Sequence, residues 1–223
     1  MPGRLFLDYV DPWIDWRWLS THVPLVLDAL LQHIELTLIA VAGGLVIAVP
    51  LGVIAHRFAF LRVPLLGVFG AFYTIPSIAV FAFLIPYTGL GGTTAEIPLI
   101  GYNVLVLLRN VLVGLDEVPS DVLDVADGMG YRPLARLLQV QLPLALPAIL
   151  AGLRIATVST IGIVTITAVI GVTSLGQLIM RGLIEDFHTP LVVATVLSIV
   201  LALFADLILA GSRRVITPWA RQR

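Results

Sequence analysis

Apolar positions run along this chain in long blocks separated by short clusters of Arg, Asp, Gly and Pro. The hydrocarbon layer of a membrane, about 30 Å thick, requires roughly 20 residues of apolar helix to cross it. Five segments approach that length. Residues 36–55 carry no charge and extend backwards through a mixed stretch from Leu25, which predicts a first helix ending at His56 and Arg57. Residues 63–95 form an uncharged run too long for one simple span. Within it, Pro76, Pro86 and the glycines at 89, 91 and 92 predict a broken second helix followed by a turn. Residues 97–115 predict a third helix carrying Arg109, and residues 147–171 a fourth. Residues 190–211 predict a fifth, opened by a Thr189 cap with Pro190 at the first helical position.

The remaining long segment, residues 116–146, is amphipathic rather than apolar. Pro119, Ser120 and Asp121 read as a helix start with acid in the first turn. Val122, Val125, Ala126 and Met129 then recur at i, i+3, i+4 and i+7, the spacing of one helix face. Gly128 and Gly130 end that helix, and Pro133 starts another in which Leu134, Leu137 and Leu138 share a face. Leu142, Pro143 and Pro147 are expected to turn the chain back into the membrane. The predicted class is therefore all-α: a polytopic membrane protein with five transmembrane helices and a short helical hairpin between the third and fourth.

Composition agrees, with 59% hydrophobic and only 12% charged residues in 223, against roughly 25% charged in soluble domains. The absence of cysteine excludes disulfides, thiolate metal sites and a Cys nucleophile. Every positive side chain is Arg, and placement sets orientation, because short cytoplasmic loops are enriched in basic residues. If the first helix runs inward, one side receives Arg57, Arg62, Arg132, Arg136, Arg154, Arg213, Arg214, Arg221 and Arg223; the other receives Arg4, Arg17 and Arg181. This predicts an external amino terminus, a cytoplasmic carboxyl terminus and a cytoplasmic hairpin in a plasma or inner membrane. Residues 1–18 mix Asp8, Asp11 and Asp15 with aromatics and lack the basic and apolar regions of a signal peptide. Residues 1–24 are expected to form an external interfacial segment anchored by Trp13, Trp16 and Trp18. Residues 25–212 would form the membrane domain, and 213–223 a basic tail.

The stretch Asp124-Val125-Ala126-Asp127-Gly128-Met129-Gly130, followed after nine residues by Val140-Gln141-Leu142-Pro143, resembles the coupling loop of ABC importer permeases. The pattern of that loop is Glu-Ala-Ala, three residues, Gly, nine residues, Ile-x-Leu-Pro. Ala126, Gly130, Leu142 and Pro143 match as they stand; Asp124, Val125 and Val140 are conservative departures. The run from Gln139 to Arg154, with Thr74-Ile75-Pro76-Ser77-Ile78-Ala79 and Pro50-Leu51-Gly52, is similar to permeases of glycine betaine, carnitine and choline (osmoprotectant) uptake systems. The resemblance implies a five-helix permease working with a second permease subunit, identical or paralogous, two cytoplasmic ATPases and an external substrate-binding protein. It implies that Val122, Val125, Ala126 and Met129 dock on the ATPase, that Asp124 pairs with a basic residue there, and that ATP and magnesium belong to that partner. Leu142 and Pro143 complete the coupling motif. No cofactor is expected in this chain.

Three further groups bear on a pathway. Asp28, Gln32 and Glu35 lie at i, i+4 and i+7, one polar stripe on the first helix. Tyr73, Thr74, Pro76 and Ser77 sit at the helix break, flanked by Phe72, Phe81, Phe83 and Tyr87. Aromatic faces attract quaternary ammonium groups, so Tyr73 to Ser77 and Glu35 are the candidate pathway residues. Arg109 and Asp206 lie near helix ends, where they can snorkel or pair. Thr157, Ser159, Thr160, Thr165 and Thr167, with Gly162, suit close helix packing. There is no phosphate-binding Gly-x-x-x-x-Gly-Lys pattern, and the chain has no Lys to complete one. No catalytic triad, metal-ligand spacing or nucleic-acid signature is present. Two alternatives share parts of this reading: a permease for an amino acid or other small solute, and a transporter that works without ATP.

Overall fold

The structure is a computed structural model that describes residues 12–218. The first eleven residues of the expected interfacial segment, including Asp8, Asp11 and Arg4, lie outside the described residues, as do Arg221 and Arg223 and the side chains of Arg213 and Arg214.

The described residues form helices α1 (Trp16–Thr21), α2 (Val23–Arg57), α3 (Arg62–Thr74), α4 (Ser77–Thr88), α5 (Gly92–Asp116), α6 (Ser120–Gly128), α7 (Pro133–Arg136), α8 (Leu142–Val164), α9 (Leu175–Ile184) and α10 (His188–Ile216). Four stretches are long and apolar enough to cross a membrane: Val23–Arg57, Gly92–Asp116, Pro133–Ile170 and His188–Ser212. The bent pair of helices from Ala59 to Thr74 and from Ser77 to Thr88 makes a fifth if counted as one span.

The break in that pair is a proline effect. Pro76 lacks an N–H and disfavours helical backbone at the residue before it; Ile75 and Pro76 are both extended, with ψ of 128° and 131°. The two arms then diverge by 93°. The Ile75 carbonyl released by the break accepts a hydrogen bond from the Tyr102 hydroxyl of α5 at 2.9 Å.

Helix α5 is the central post, with Leu99, Leu107, Leu108 and Val111 almost wholly buried between α2 and α8. Apolar side chains gain nothing by leaving lipid, so close van der Waals contact and buried hydrogen bonds hold membrane helices together. Both are visible here. Gly44 and Gly52 of α2 let its backbone approach Asn103 and Val111 of α5. Asn103 Oδ1 accepts from Thr160 Oγ1 of α8 at 3.0 Å. A Cβ added at Gly52 would lie 2.4 Å from Val111 Cγ1, and that methyl sits too close to its own backbone to swing aside. Gly52→Ala is expected to cost about 1–3 kcal/mol, read as a lower thermal midpoint of the solubilised protein. An unchanged midpoint would show that α2 and α5 separate without penalty.

Three expectations need correction. The fourth span does not begin at Pro147 after a turn, since α7 runs through a π-helical turn, Leu137–Gln141, directly into α8. Pro143 falls in the first turn of α8, where its missing N–H costs nothing. The extra residue accommodated by a π turn keeps the helix intact where the prolines suggested a bend. At the other end, α10 starts at His188, so Pro190 is its third residue. Thr189 accepts a hydrogen bond from the Asp15 backbone N–H at 2.7 Å, tying the α1 region to α10 instead of capping. Lastly, α9 was not expected. It is a ten-residue amphipathic helix capped by Ser174, too short to register as a span.

Candidate functional site: the α6–α7 hairpin and the cavity at the opposite end

Helix α6 leaves the end of α5 through Val118 and Pro119, and the junction is fixed by charge. Asp116 accepts from Arg62 and is bonded to His56 Nδ1 at 2.9 Å, joining the ends of α2, α3 and α5. Along α6, Val122, Val125 and Met129 are exposed, Met129 at 70%. Ala126 is not part of that free face: it is only 4% exposed, on a helix that packs against α7 and the π-helical turn after it. Asp124 is exposed, and Asp127 pairs with Arg136 across the hairpin.

The turn is a Schellman motif. Gly130 N–H donates to Asp127 O at 3.0 Å and Tyr131 N–H donates to Ala126 O at 3.1 Å, with Gly130 at φ 81°. Only glycine takes that backbone without a Cβ penalty. Leu142 packs into the cluster of Val111, Leu115, Ala145 and Ile149, so the residues after the hairpin belong to the bundle core. α7 thus runs without interruption into α8, with α6 held to it by the turn at Gly130 and the Asp127–Arg136 pair.

At the opposite end of the bundle, a cavity of about 570 Å³ lies between α2, the start of α5 and the turn after the 3-10 segment Thr165–Ile170. Gln32 and Glu35 of the predicted polar stripe line it; Asp28 is exposed outside it. Glu96, which sequence reasoning missed, faces the same space. Tyr73, Thr74, Pro76 and Ser77 are grouped at the helix break, away from this cavity. There Tyr73 meets Tyr102 edge-on at 5.7 Å and Phe72 lies 5.2 Å from the same ring.

Other polar groups are structural. His33 is fully buried, donating Nε2–H to the Ile161 carbonyl of α8 at 3.0 Å. Thr157 and Thr160 return hydrogen bonds to carbonyls one turn back in α8. Asp206 pairs with Arg154 through two hydrogen bonds of 2.9 and 2.7 Å. Arg154 therefore lies within α8 rather than in a loop. Arg109 is exposed, and Trp13 and Trp16 are exposed while Trp18 stacks on His22 and meets Phe187 edge-on.

The fold is a bundle of long apolar helices with one broken span and an amphipathic hairpin between α5 and α8. The inward-facing MetNI methionine ABC transporter has a chain that superposes with a TM-score of 0.81 at 23% identity, covering 89% of this chain and 99% of that one; that likeness concerns the fold alone. The chain belongs to the family described as binding-protein-dependent transport system inner membrane component, which matches residues 24–216. Two relatives from Bacillus subtilis (strain 168) carry the comparison further. The choline transport system permease protein OpuBB is 37% identical over 194 residues, 86% of this chain and 88% of the relative. The glycine betaine/carnitine/choline transport system permease protein OpuCB is 35% identical over 189 residues, 84% and 86% respectively. The protein is a permease subunit of an ABC importer, and ATP hydrolysis belongs to separate chains.

Proposed function

We propose that this chain is the permease for a quaternary ammonium osmoprotectant of the glycine betaine, choline or carnitine kind. The observation that carries the reading is the 37% and 35% identity, over most of both chains, to permeases named for those solutes. In this reading two permease subunits, identical or paralogous, stand side by side with two ATPases on the hairpin side. An external binding protein delivers the solute at the other end. The amino terminus is external and the hairpin cytoplasmic, consistent with the Arg distribution.

Helix α6 would act as the coupling helix. Val122, Val125 and Met129 offer an apolar face to a groove on the ATPase, and Asp124 offers a carboxylate to a cation there. An exposed pair of that type contributes only about 0–1 kcal/mol, so its part is orientation rather than affinity. Gly130, Leu142 and Pro143 join that helix stiffly to α8, so displacement of the hairpin moves a membrane-spanning helix. The break at Tyr73 to Ser77 supplies irregular backbone of the sort that membranes tolerate only beside protein or a water-filled path.

The test is uptake by the complete complex. The permease, its ATPase and its binding protein are reconstituted in liposomes, and entry of radiolabelled choline, glycine betaine and carnitine is followed with ATP and without it. ATP-dependent entry of at least one is expected. A binding protein that retains none of the three would overturn the cargo, and uptake undiminished by an inactive ATPase would overturn the coupling.

A further inference from the structure

On the hairpin side of the bundle a second cavity, of about 430 Å³, separates the carboxyl-terminal end of α2 from α7. Its lining is basic and amphiphilic. His56, Arg57 and Arg136 stand beside Leu134 and Leu137, and no acidic side chain is among the described residues that line it. The carboxylates that touch these walls are already engaged: Asp116 meets both His56 and Arg62, and Asp127 holds Nη1 of Arg136. Arg57 makes no ion pair among the described residues.

Gln141 turns this basic recess into a built site. It ends the π-helical turn Leu137–Gln141, is only 7% exposed, and lines the cavity. Its side-chain amide forms no hydrogen bond among the described residues, yet neither of its polar atoms is sealed from the surface. A buried amide without a partner is unfavourable, so an occupant with acceptor oxygens would satisfy it. The π turn carries one residue more than an α-helical turn, and such turns recur where a helix builds a functional site.

The chemistry of the lining fits a phosphate diester: negative charge for Arg57 and Arg136, acceptor oxygens for the Gln141 amide, and an apolar stem for Leu134 and Leu137. Depth selects a lipid over a free anion. Helix α2 is long and apolar enough to cross a membrane, and Arg57 is its last residue. Phe58 and Phe60 follow at 51% and 74% exposure, apolar surface that suits the boundary between headgroups and acyl chains. Basic recesses between spans at that level accept anionic headgroups. We propose that this cavity binds the phosphate headgroup of an anionic phospholipid. Arg57 supplies the unmatched charge and Gln141 the directed hydrogen bond, so the lipid bridges the end of α2 to the second arm of the hairpin. The site stands whichever solute is carried.

The experiment uses the complete permease–ATPase complex in nanodiscs of phosphatidylglycerol and phosphatidylcholine with matched acyl chains. The complex is released into mild detergent and its retained lipids are read by native mass spectrometry. Wild type is expected to retain phosphatidylglycerol in preference to phosphatidylcholine. Arg57→Gln should lower that preference about fivefold, the worth of one basic residue at an anionic surface. Gln141→Leu keeps the size, removes the amide and should also lower it, and the double variant further still. Recovery of monodisperse complex reports folding, and Arg57 is exposed, so its replacement leaves the packing intact. Arg109→Gln removes a charge that is exposed on α5 outside the cavity and should change nothing. An equal loss in Arg109→Gln would reveal diffuse attraction and overturn the site. So would a wild type without preference, as a cavity filled by the ATPase would give, or a preference that both cavity variants keep. Inorganic phosphate separates the two sources of the same chemistry. It is expected to leave the retained lipid in place, and displacement of phosphatidylglycerol by it would overturn the lipid assignment.

Discussion

Gly130→Val is expected to reduce ATP-driven uptake by an order of magnitude or more while the protein still inserts in the membrane. The reason is backbone conformation alone. Gly130 adopts φ 81°, and a Cβ built there meets nothing within 4 Å, so no clash contributes. A β-branched residue in that region costs about 1–3 kcal/mol. Because the bundle core is elsewhere, the hairpin relieves the strain by opening the two bonds that Gly130 and Tyr131 donate to Asp127 and Ala126. Helix α6 then no longer moves as one piece with α8. Gly130→Asn supplies the control, since Asn tolerates left-handed backbone better than other residues with a side chain. It should keep much of the uptake and of the ATPase recovered on affinity purification. Full activity in Gly130→Val would show that the hairpin need not be rigid, and the proposed lever would be lost.

That hairpin was legible in the sequence because its determinants are local. Helix start, apolar face and glycine stop all lie between Pro119 and Gly130, within the reach of periodicity and capping rules. The carboxyl-terminal ends of α2 and α5 and the break at Pro76 were legible for the same reason, whereas α5 begins at Gly92, five residues before the expected start. What the sequence did not disclose depends on distant segments meeting. The cavity needs Gln32 and Glu35, Glu96, and Val172 to converge from three elements. Glu96 was passed over because it stands at the point where the uncharged run ends, and charge at the edge of a run reads as a boundary. Helix α9 was hidden by its length, although Leu175, Leu178 and Ile179 sit at helical spacing. Ala126 has the right register for the docking face, yet it is buried.

The same distinction explains Asp206, whose partner lies 52 residues away. Arg154 and Asp206 lie in spans α8 and α10, and their bidentate contact, Nε to Oδ1 and Nη2 to Oδ2, is the strongest arrangement a guanidinium and carboxylate can make. Around it α10 exposes Val200, Leu203, Phe204 and Leu207, an apolar surface that offers no other partner. Asp206→Leu alone leaves a guanidinium unpaired in an apolar span. A several-fold drop in the yield of monodisperse, solubilised protein is expected, with a lower thermal midpoint. The double variant Arg154→Leu, Asp206→Leu should recover most of both, since two apolar side chains between helices in lipid leave no charge unmatched. Full recovery of yield with impaired uptake would assign the pair a part in transport beyond assembly. A single Asp206→Leu indistinguishable from wild type would mean that Arg154 reaches water unaided, and that α8 and α10 are held by packing alone.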